Sequence, residues 1–231
     1  MPGLGTIVNA GAIVLGSVLG LVLKRGLPEK WQQTIMSGIA LCIVVIGTKM
    51  AMETANIIIT IISLTIGAVL GELANIEGHV EWVGSWLGNR FARGEATAAA
   101  RIAEGFVTAS LLFCVGAMAV VGSIQDGLAG DHTTLLAKAT LDGIISLVLA
   151  ANLGVGVVLS AASVGIYQGA ITLLAGVLEP FVTPAILGEI TASGGIMIMA
   201  IGTNMLKITK IRISNMLPGI AVAAVAAALV L

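Results

Sequence analysis

Eight long apolar segments fill almost all of the 231-residue chain and leave only short polar connections between them. A helix needs about 20 mostly apolar residues to cross about 30 Å of hydrocarbon, because each residue adds about 1.5 Å. Backbone polar groups inside a bilayer must be satisfied within the segment, which selects helices. We therefore predict an all-α polytopic membrane protein, a single transmembrane domain over residues 1–231. The predicted spans are 4–23, 34–52, 55–74, 103–124, 136–160, 163–179, 189–206 and 213–231.

Composition excludes a water-soluble domain and gives no sign of a nucleic-acid partner. Hydrophobic residues make up 58% of the chain, charged residues only 10%, and the mean hydropathy is +1.08, whereas soluble domains carry about 25% charged residues. The few charges are spread over the connections, so the lipid bilayer is the expected partner. Cys42 and Cys114 lie in apolar segments without metal-ligand spacing, so we expect no disulfide, metal or other cofactor. No basic region precedes residues 4–23, so a cleaved signal peptide is not expected.

The basic residues favour one orientation of the chain. With eight crossings, nine of the eleven Lys and Arg residues fall on one side, and only Lys49 and Lys138 lie opposite. If segment 163–179 were re-entrant, the split would become six against five. The positive-inside rule therefore favours eight spans, with both termini outside the cytoplasm. The nine are Lys24, Arg25, Lys30, Arg90, Arg93, Arg101, Lys207, Lys210 and Arg212.

The first three spans resemble the last three. The matching motifs are Gly11-Ala12-Ile13 with Gly169-Ala170-Ile171, and Ile46-Gly47-Thr48-Lys49-Met50 with Ile201-Gly202-Thr203-Asn204-Met205. The spacing from the first Gly to the Ile is 35 residues in one copy and 32 in the other. On the predicted topology the copies, residues 4–74 and 163–231, run in opposite directions, with the hairpin 103–160 between them. An inverted repeat is the usual basis of alternating access in secondary transporters.

Two further patterns concern contacts of the chain. Residues 78–94 combine a tryptophan-rich apolar face with charged residues, which predicts a cytoplasmic helix in the headgroup layer rather than a partner-binding site. The GxxxG motifs at 16–20 and 67–71 predict tight helix contacts. Such contacts could form within one chain or between the subunits of a homo-oligomer.

The densest polar stretch in the membrane-spanning part of the chain is residues 114–143, which closes the fourth span, opens the fifth and holds all three aspartates. Asp142 is predicted about one turn inside the fifth span, where a charge costs up to about 2.5 to 3.5 kcal/mol, and Lys138 is its expected partner. Two interpretations carry equal weight: a structural ion pair, or a cation or proton site at the mouth of a pathway. The second predicts that Asp126 and Asp142 face a water-filled outer vestibule or a bound cation rather than lipid, with Gln125 nearby. Asp131 is expected to cap the fifth span.

Polar residues also recur at matching places inside the spans. Gly47-Thr48-Lys49 corresponds to Gly202-Thr203-Asn204, and Asn9 falls near Gln168 in the repeat alignment. One Gly-Thr pair favours close helix packing. Its recurrence in both copies favours a central substrate or ion site, with each helix broken beside the glycine. The candidate pathway residues are Asn9, Thr48, Lys49, Gln125, Asp126, Lys138, Asp142, Gln168, Thr203 and Asn204.

Several motifs are similar to those of one known family. FCVGAMAVVGSIQDGL at 113–128, GDH at 130–132 and LDG at 141–143 resemble the YqgA/YdfK-like family of bacterial inner-membrane proteins of unknown function. The segments NAGAIVLGSVLG at 9–20 and TASGGIMIMAIGTNM at 191–205 extend the resemblance over essentially the whole chain. It implies a multi-pass protein of a bacterial cytoplasmic membrane, described as a candidate transporter. It supplies no substrate and no functional residues.

Three functions fit these features. The first is a secondary transporter or facilitator of a small solute or cation, with its pathway between the repeats and an acidic outer entrance. The second is a passive channel with the same architecture. The third is a membrane scaffold or sensor without flux, which would signal through residues 78–94. We expect no enzyme, because the sequence has no zincin, GxSxG or P-loop motif.

Overall fold

The computed structural model describes residues 2–24, 29–80, 82 and 96–230. Regular structure within these residues is helical, which confirms the predicted all-α class. The helices are α1 (Leu4–Lys24), α2 (Glu29–Ala51), α3 (Ile57–Leu73), α4 (Ala96–Cys114), α5 (Ala117–Ala129), α6 (Thr133–Leu153), α7 (Gly156–Leu173), α8 (Ala175–Leu178), α9 (Pro184–Met205) and α10 (Pro218–Val230). Short 3-10 turns at Glu179–Phe181 and Ile213–Met216 precede α9 and α10.

Each predicted span contains an apolar helix. Among the described residues, six helical stretches are long and apolar enough to cross a membrane, and the bent pair α4 and α5 brings the number to seven. The eighth, α3, is a shorter apolar helix of 17 residues. The polytopic membrane class therefore holds, while the inverted orientation of the repeats stays a prediction.

The predicted bounds of the fifth and sixth spans, 136–160 and 163–179, are wrong. Helix α6 ends at Leu153 and α7 begins at Gly156, with Gly154 between them at a φ of 84°. This left-handed backbone favours glycine, so Gly154 makes the turn. No charged residue marks the turn, which is why hydropathy misplaced it. As a result, residues 156–173 form an apolar helix of 18 residues, long enough to span.

The fourth predicted span, 103–124, is not one continuous helix. Helix α4 ends at Cys114, α5 begins at Ala117, and the two are bent by 60°. Gly116 has a φ of 138° at the bend, a conformation that L side chains rarely adopt. Gly116 also gives α5 no side-chain cap. The first N–H groups of α5 therefore have no acceptor from a capping side chain.

The chain divides into two compact units. The first comprises Met1–Gln32 and Arg101–Phe181, with α1, most of α4, and α5 to α8. The second comprises Gln33–Ala100 and Val182–Leu231, with most of α2, and α3, α9 and α10. Each predicted repeat thus contributes its first span to the first unit and its other two spans to the second.

In the first unit, α1 and α6 pack at close range and run in the same direction. Gly5 lies against Leu135 and Gly20 against Leu147, so the contacts advance together along both helices. A Cβ at Gly16 or Gly20 would overlap a backbone carbonyl oxygen of α6. The GxxxG motif at 16–20 therefore makes a contact within the chain.

Helix α7 folds back along α6 after Gly154 and runs antiparallel to α1. The side chain of Asn9 on α1 bonds both Asp142, which precedes Gly154, and Gln168, which follows it. Because α6 runs parallel to α1, the returning helix α7 must run the opposite way. The three helices thus meet at the level of Asn9.

In the second unit, α2 pairs with α9 and α3 pairs with α10, both antiparallel. The contacts are Gly47 with Gly195, Gly202 with Ala40, Gly67 with Gly219, and Gly71 with Asn215. In each pair the residue number falls on one helix as it rises on the other. The GxxxG motif at 67–71 is therefore also used within the chain.

Most of the predicted amphipathic segment 78–94 lies outside the described residues. At its start, Trp82 is 68% exposed. The prediction of a helix in the headgroup layer for residues 83–94 falls on the part of the chain that the structure does not describe.

Candidate functional site

A buried group of four polar side chains joins α1, α6 and α7 in the first unit. Lys138 Nζ lies 2.9 Å from Asp142 Oδ1 and 2.8 Å from Asp142 Oδ2. Asn9 donates from Nδ2 to Asp142 Oδ2 at 3.0 Å and to Gln168 Oε1 at 3.3 Å. We call Asn9, Lys138, Asp142 and Gln168 the charged cluster. All four belong to the predicted set of pathway residues, and the expected ion pair is confirmed.

The charged cluster is deeper than predicted. Asn9 and Gln168 are 0% exposed, Asp142 is 4% exposed and Lys138 is 7% exposed. Asp142 is the tenth residue of the 21-residue helix α6, because α6 begins at Thr133 rather than at 136. Nine helical residues correspond to about 13 Å. Asp142 therefore lies near the middle of α6, and not about one turn from its start.

Two polar atoms of the charged cluster have no hydrogen-bond partner within the described residues. They are Asn9 Oδ1, an acceptor, and Gln168 Nε2, a donor. The amide of Asn9 cannot be reversed, because an ionised Asp142 carboxylate only accepts and needs the Nδ2 donor. A buried polar group without a partner costs about 1 to 3 kcal/mol. The pair of atoms therefore marks a place where a water molecule or a polar group of a ligand is expected to bind.

The break between α4 and α5 lies in the same unit as the charged cluster. Cys114, the last residue of α4, is within electrostatic range of both Lys138 and Asp142. A hydrogen bond of 3.1 Å from Ser110 Oγ to Ser163 Oγ ties α4 to α7. Broken helices line substrate and ion sites in transporters, because their free backbone groups can bind a ligand there.

A second polar group lies at the N-terminal end of α1. His132 Nδ1 is 2.7 Å from Asp126 Oδ1, which also accepts from the Gly3 N–H at 3.2 Å. The side chain of Asp126 is 0% exposed and that of His132 is 18% exposed. Because an ionised carboxylate only accepts, Nδ1 of His132 carries the hydrogen in this contact. We call Asp126 and His132 the acid-imidazole pair.

The neighbouring polar residues organise the connection between α5 and α6. Asp131 Oδ1 accepts from the Thr133 N–H at 2.9 Å, so it satisfies the first N–H of α6 from one residue before the N-cap position, His132, whose own side chain makes no capping bond. Hydrogen bonds from the hydroxyl and the N–H of Thr133 hold the pKa of Asp131 below its ordinary value. Gln125 Oε1 accepts from Thr134 Oγ1 at 2.8 Å, which ties α5 to α6.

The predicted water-filled vestibule is wrong for this conformation. Asp126 and Asp142 are predicted to face water at an outer mouth, but they are 0% and 4% exposed. Each carboxylate is instead held by protein donors. The vestibule prediction followed from the wrong start of the fifth span, which placed Asp142 near the water.

The predicted helix breaks at the two Gly-Thr pairs are also wrong. Helix α2 continues through Gly47 and Thr48 to Ala51, and α9 continues through Gly202 and Thr203 to Met205. Gly47 and Gly202 instead allow α2 and α9 to pack closely. Thr48 and Lys49 are exposed, and the Thr48 hydroxyl donates to Val44 O at 2.8 Å within its own helix.

Thr203 and Asn204 hold the connection that follows α9. Thr203 Oγ1 is 2.8 Å from Thr209 Oγ1. Asn204 Oδ1 accepts from the Ile211 N–H at 2.9 Å, and its Nδ2 donates to Ile211 O at 2.8 Å. These bonds fix a turn in which Lys207 has a φ of 61°. Thr48, Lys49, Thr203 and Asn204 all belong to the second unit, whereas the charged cluster lies in the first.

Glu189 on α9 is a buried acid that the sequence analysis missed. It is 0% exposed. Its Oε1 accepts from Thr54 Oγ1 at 2.8 Å, from Ala55 N at 2.9 Å and from Asn56 N at 3.0 Å. Its Oε2 accepts from Thr60 Oγ1 at 3.0 Å. Since these N–H groups directly precede α3, the carboxylate of Glu189 stabilises the start of that helix.

A signal for Glu189 was present in the sequence. It is an acid within an apolar segment, but the predicted span began at residue 189 and so placed it at the water boundary. Helix α9 begins one turn earlier, at Pro184, where the Thr183 hydroxyl accepts from the Ile186 N–H at 3.2 Å. The capping residue and the proline together predict this earlier start.

Comparison with known proteins agrees with the membrane class. The profile of a family described as "Protein of unknown function (DUF554)" matches residues 4–228. The chain belongs to the DUF554 family. The match covers helices of both units and all four residues of the charged cluster.

Two curated relatives of this DUF554 chain match over nearly its whole length. The "Uncharacterized membrane protein YdfK" of Bacillus subtilis (strain 168) is 35% identical over 220 residues, which are 94% of this chain and 92% of the relative. The "Uncharacterized protein YqgA" of Escherichia coli (strain K12) is 28% identical over 221 residues, 95% of this chain and 94% of the relative. The family expected from the sequence motifs is thereby confirmed. No solved structure matches the chain.

Proposed function

We propose that this protein is a secondary transporter or facilitator that moves a small solute or ion across the bacterial cytoplasmic membrane, and that the charged cluster lies on its pathway. One observation carries the proposal. Lys138 and Asp142, near the middle of α6, are buried together with the amide side chains of Asn9 and Gln168. All the surrounding helices are apolar. Ionisable residues at such positions are rare in membrane proteins, and they usually mark substrate, ion or proton pathways.

A purely structural ion pair accounts less well for the charged cluster. A buried ion pair often contributes no more stability than apolar residues of the same volume, because both charges lose their hydration. A structural network is also expected to satisfy all of its polar atoms. Asn9 Oδ1 and Gln168 Nε2 remain without partners in the described residues. This unused hydrogen-bonding capacity supports a site that binds and releases a ligand.

The pairing of the helices supports an inverted repeat. The segments that match in sequence are α1 with α7, α2 with α9, and α3 with α10, and each pair packs antiparallel within its own unit. Asn9 and Gln168, one residue apart in the repeat alignment, are joined by a hydrogen bond of 3.3 Å. A pseudo-two-fold axis would produce such antiparallel pairs. Opposed repeats offer the two exchangeable conformations that alternating access requires.

The predicted orientation of the last spans also gains support. Arg212 NH1 lies 2.9 Å from Glu72 Oε2 within the second unit. The ends of α3 and α9 therefore lie on the same side, and an even number of crossings must separate them. Four crossings meet this requirement: the bent pair of α4 and α5 crosses once, and α6, α7 and α9 cross once each. The arrangement supports the eight-span topology with segment 156–173 as a full span.

The surroundings of the charged cluster favour a gated transporter over a passive channel. A channel needs a continuous wet path, whereas every residue of the charged cluster is at most 7% exposed. A conformational change is therefore required before a solute can reach Asp142. Alternating access supplies such a change.

Cysteine accessibility tests this proposal without knowledge of the solute. The background is C42A/C114A, which removes both native thiols. Thr6→Cys and Ser17→Cys place probes on α1 on either side of Asn9, at positions 5% and 0% exposed. We expect a membrane-impermeant thiol reagent to reach the Thr6 probe from one side of the membrane and the Ser17 probe from the other.

Leu15→Cys is the matched control on the same helix, because Leu15 is 68% exposed on the apolar surface and should face lipid. It should stay unreactive towards a charged reagent from both sides. If the Thr6 and Ser17 probes behave like this control in every condition, the chain has no pathway at the charged cluster. If both probes react from the same side in one conformation, the protein is a channel.

A further inference from the structure

Unpaired polar atoms continue from the charged cluster towards the acid-imidazole pair. Thr6 lies about one turn before Asn9 on α1, and Thr172 lies about one turn after Gln168 on the antiparallel α7, so both threonines lie on the same side of the charged cluster. They are 5% and 7% exposed. Within the described residues, the buried atoms without a hydrogen-bond partner include Thr6 Oγ1, Thr172 Oγ1 and Asp126 Oδ2, in addition to Asn9 Oδ1 and Gln168 Nε2.

Asp126 reaches the same place from α5. Its Oδ2 lies beside Gly5, where an added Cβ would come within 3.2 Å of it. The next residue, Gly127, packs against the backbone carbonyl of Thr172. Asp126 is thus adjacent to the turns of α1 and α7 that carry the two threonines. A buried series of polar groups therefore leads from Asp126 to Asp142, and its partly exposed end is His132.

We propose that the ion coupled to transport is the proton, and that His132 and Asp126 take it up and deliver it to Asp142. The proposal rests on the transport function proposed above. Imidazole is the side chain that exchanges protons with water near neutral pH. Series of Asp and His side chains carry protons in membrane pumps and transporters. The acid-imidazole pair combines both groups at a contact of 2.7 Å.

Each step conserves protons and charge. The imidazolium of His132 gives its Nδ1 proton to Asp126 Oδ1 and becomes neutral, and rotation of the carboxyl group turns the new O–H towards Thr6 and Thr172. Each hydroxyl accepts one proton as it donates one, with water between groups more than about 3.5 Å apart. The Asp142 carboxylate takes the proton and becomes neutral, so its ion pair with Lys138 breaks and Lys138 keeps its positive charge. One imidazolium and one carboxylate are neutralised, and the total charge is unchanged.

Lys138 favours a proton over a metal cation. Its ammonium group lies within 2.9 Å of both Asp142 oxygens, where a metal cation would have to bind, and it repels any second cation. A proton can bind an oxygen of Asp142 without such a space. Among the described residues, Cys114 lies in electrostatic range of Asp142, Asp131 in range of His132, and Tyr167 in range of Cys114.

Time-resolved infrared spectroscopy after a pH jump tests the route. The full chain in lipid vesicles is taken from about pH 8 to about pH 5, a range in which imidazole titrates. In the wild type, the C=O stretching band of protonated carboxyl groups is expected to appear after the jump. The part of this band that is missing in Asp142→Asn is the Asp142 component. His132→Gln should slow that component by roughly tenfold or more, with the final amplitude unchanged. Glu179→Gln, at an exposed acid outside this series, should leave the rate unchanged.

Three results would overturn the proposal. The first is a wild-type spectrum without an Asp142 component. The second is an Asp142 component that appears at the same rate in His132→Gln as in the wild type. If its amplitude is also lower at that equal rate, the role of His132 is merely structural. The third is an Asp142 component that responds to added sodium chloride at constant pH more than to protons. Thr172 keeps a hydroxyl on the same side of the charged cluster in the Thr6→Cys protein, so the cysteine probes still report on transport. If they react while the Asp142 component is silent in the wild type, proton coupling fails and transport stands. If they stay unreactive, transport fails and the coupling fails with it.

Discussion

Asn9 Nδ2 and Gln168 Oε1 lie 3.3 Å apart although 159 positions separate the two residues. The same Nδ2 also donates to Asp142 Oδ2 at 3.0 Å, so one amide links the first, fifth and sixth spans. This arrangement depends on the close approach of α1 and α6 at Gly16 and Gly20. The charged cluster is therefore positioned by helix packing that only glycine permits.

Asp142→Asn is expected to stop transport and to lower the free energy of unfolding. The substitution keeps the shape of the side chain but leaves the ammonium group of Lys138 buried without a counter-ion. Removal of one partner of a buried pair costs about 3 to 5 kcal/mol. Thermal unfolding in detergent measures the stability, and the alternating reactivity of the Thr6 and Ser17 probes measures the transport cycle.

The double variant K138Q/D142N separates the two roles of Asp142. It removes both charges, so it should recover most of the lost stability while the transport cycle stays blocked. If Asp142→Asn lowers stability but leaves the cycle per folded molecule unchanged, the ion pair is structural and the pathway does not involve it.

Gly16→Ala should destabilise the protein, and Gly11→Ala should not. A Cβ at Gly16 would overlap the backbone of Gly143, whereas no heavy atom lies within 4 Å of a Cβ at Gly11. Overpacking of this kind costs about 1 to 3 kcal/mol, while alanine in a helix is favoured over glycine by up to about 1 kcal/mol. Both positions lie on α1, so an equal loss of thermal stability in the two variants would contradict the assigned contact.

Glu189→Gln should weaken the start of α3. Only one oxygen remains to accept the bonds now divided between Oε1 and Oε2, and the new amide N–H group faces donors. The expected loss in the free energy of unfolding is about 1 to 3 kcal/mol. Glu179→Gln is the control, because Glu179 is exposed and should change stability by no more than about 0.5 kcal/mol. Chemical denaturation in detergent compares the two, and equal stabilities would remove the role given to Glu189.

Labelling in intact cells tests the orientation of the chain. Lys210 is exposed and is a better probe than Ser214, which is 3% exposed. In the C42A/C114A background, Lys210→Cys should react with an impermeant reagent only after the cells are opened. Asp131→Cys, on the predicted outer side, should react in intact cells. The opposite pattern for both would invert the topology, and reaction of both in intact cells would break the eight-span arrangement.

Some of these features follow from local sequence. The length of the apolar segments decides the class, because about 20 continuous apolar residues are what a helix needs to cross a bilayer with its backbone satisfied. The ion pair of Lys138 and Asp142 can be predicted from the sequence, because residues four positions apart lie on the same face of a helix. The turn at Gly154 and the bend at Gly116 were missed, because they depend on backbone φ values within apolar runs and leave hydropathy unchanged.

The sequence by itself determined the membrane class, the family and the identity of the polar residues inside the spans. Only the tertiary structure decided which of those residues meet. It joined Asn9 and Gln168 to the ion pair and left Thr48 and Thr203 at packing or turn positions in the second unit. It also gave Glu189 its partners at the start of α3. The physical reason is that apolar residues alike in hydropathy do not specify helix neighbours, whereas glycine contacts and hydrogen bonds over long sequence separations do.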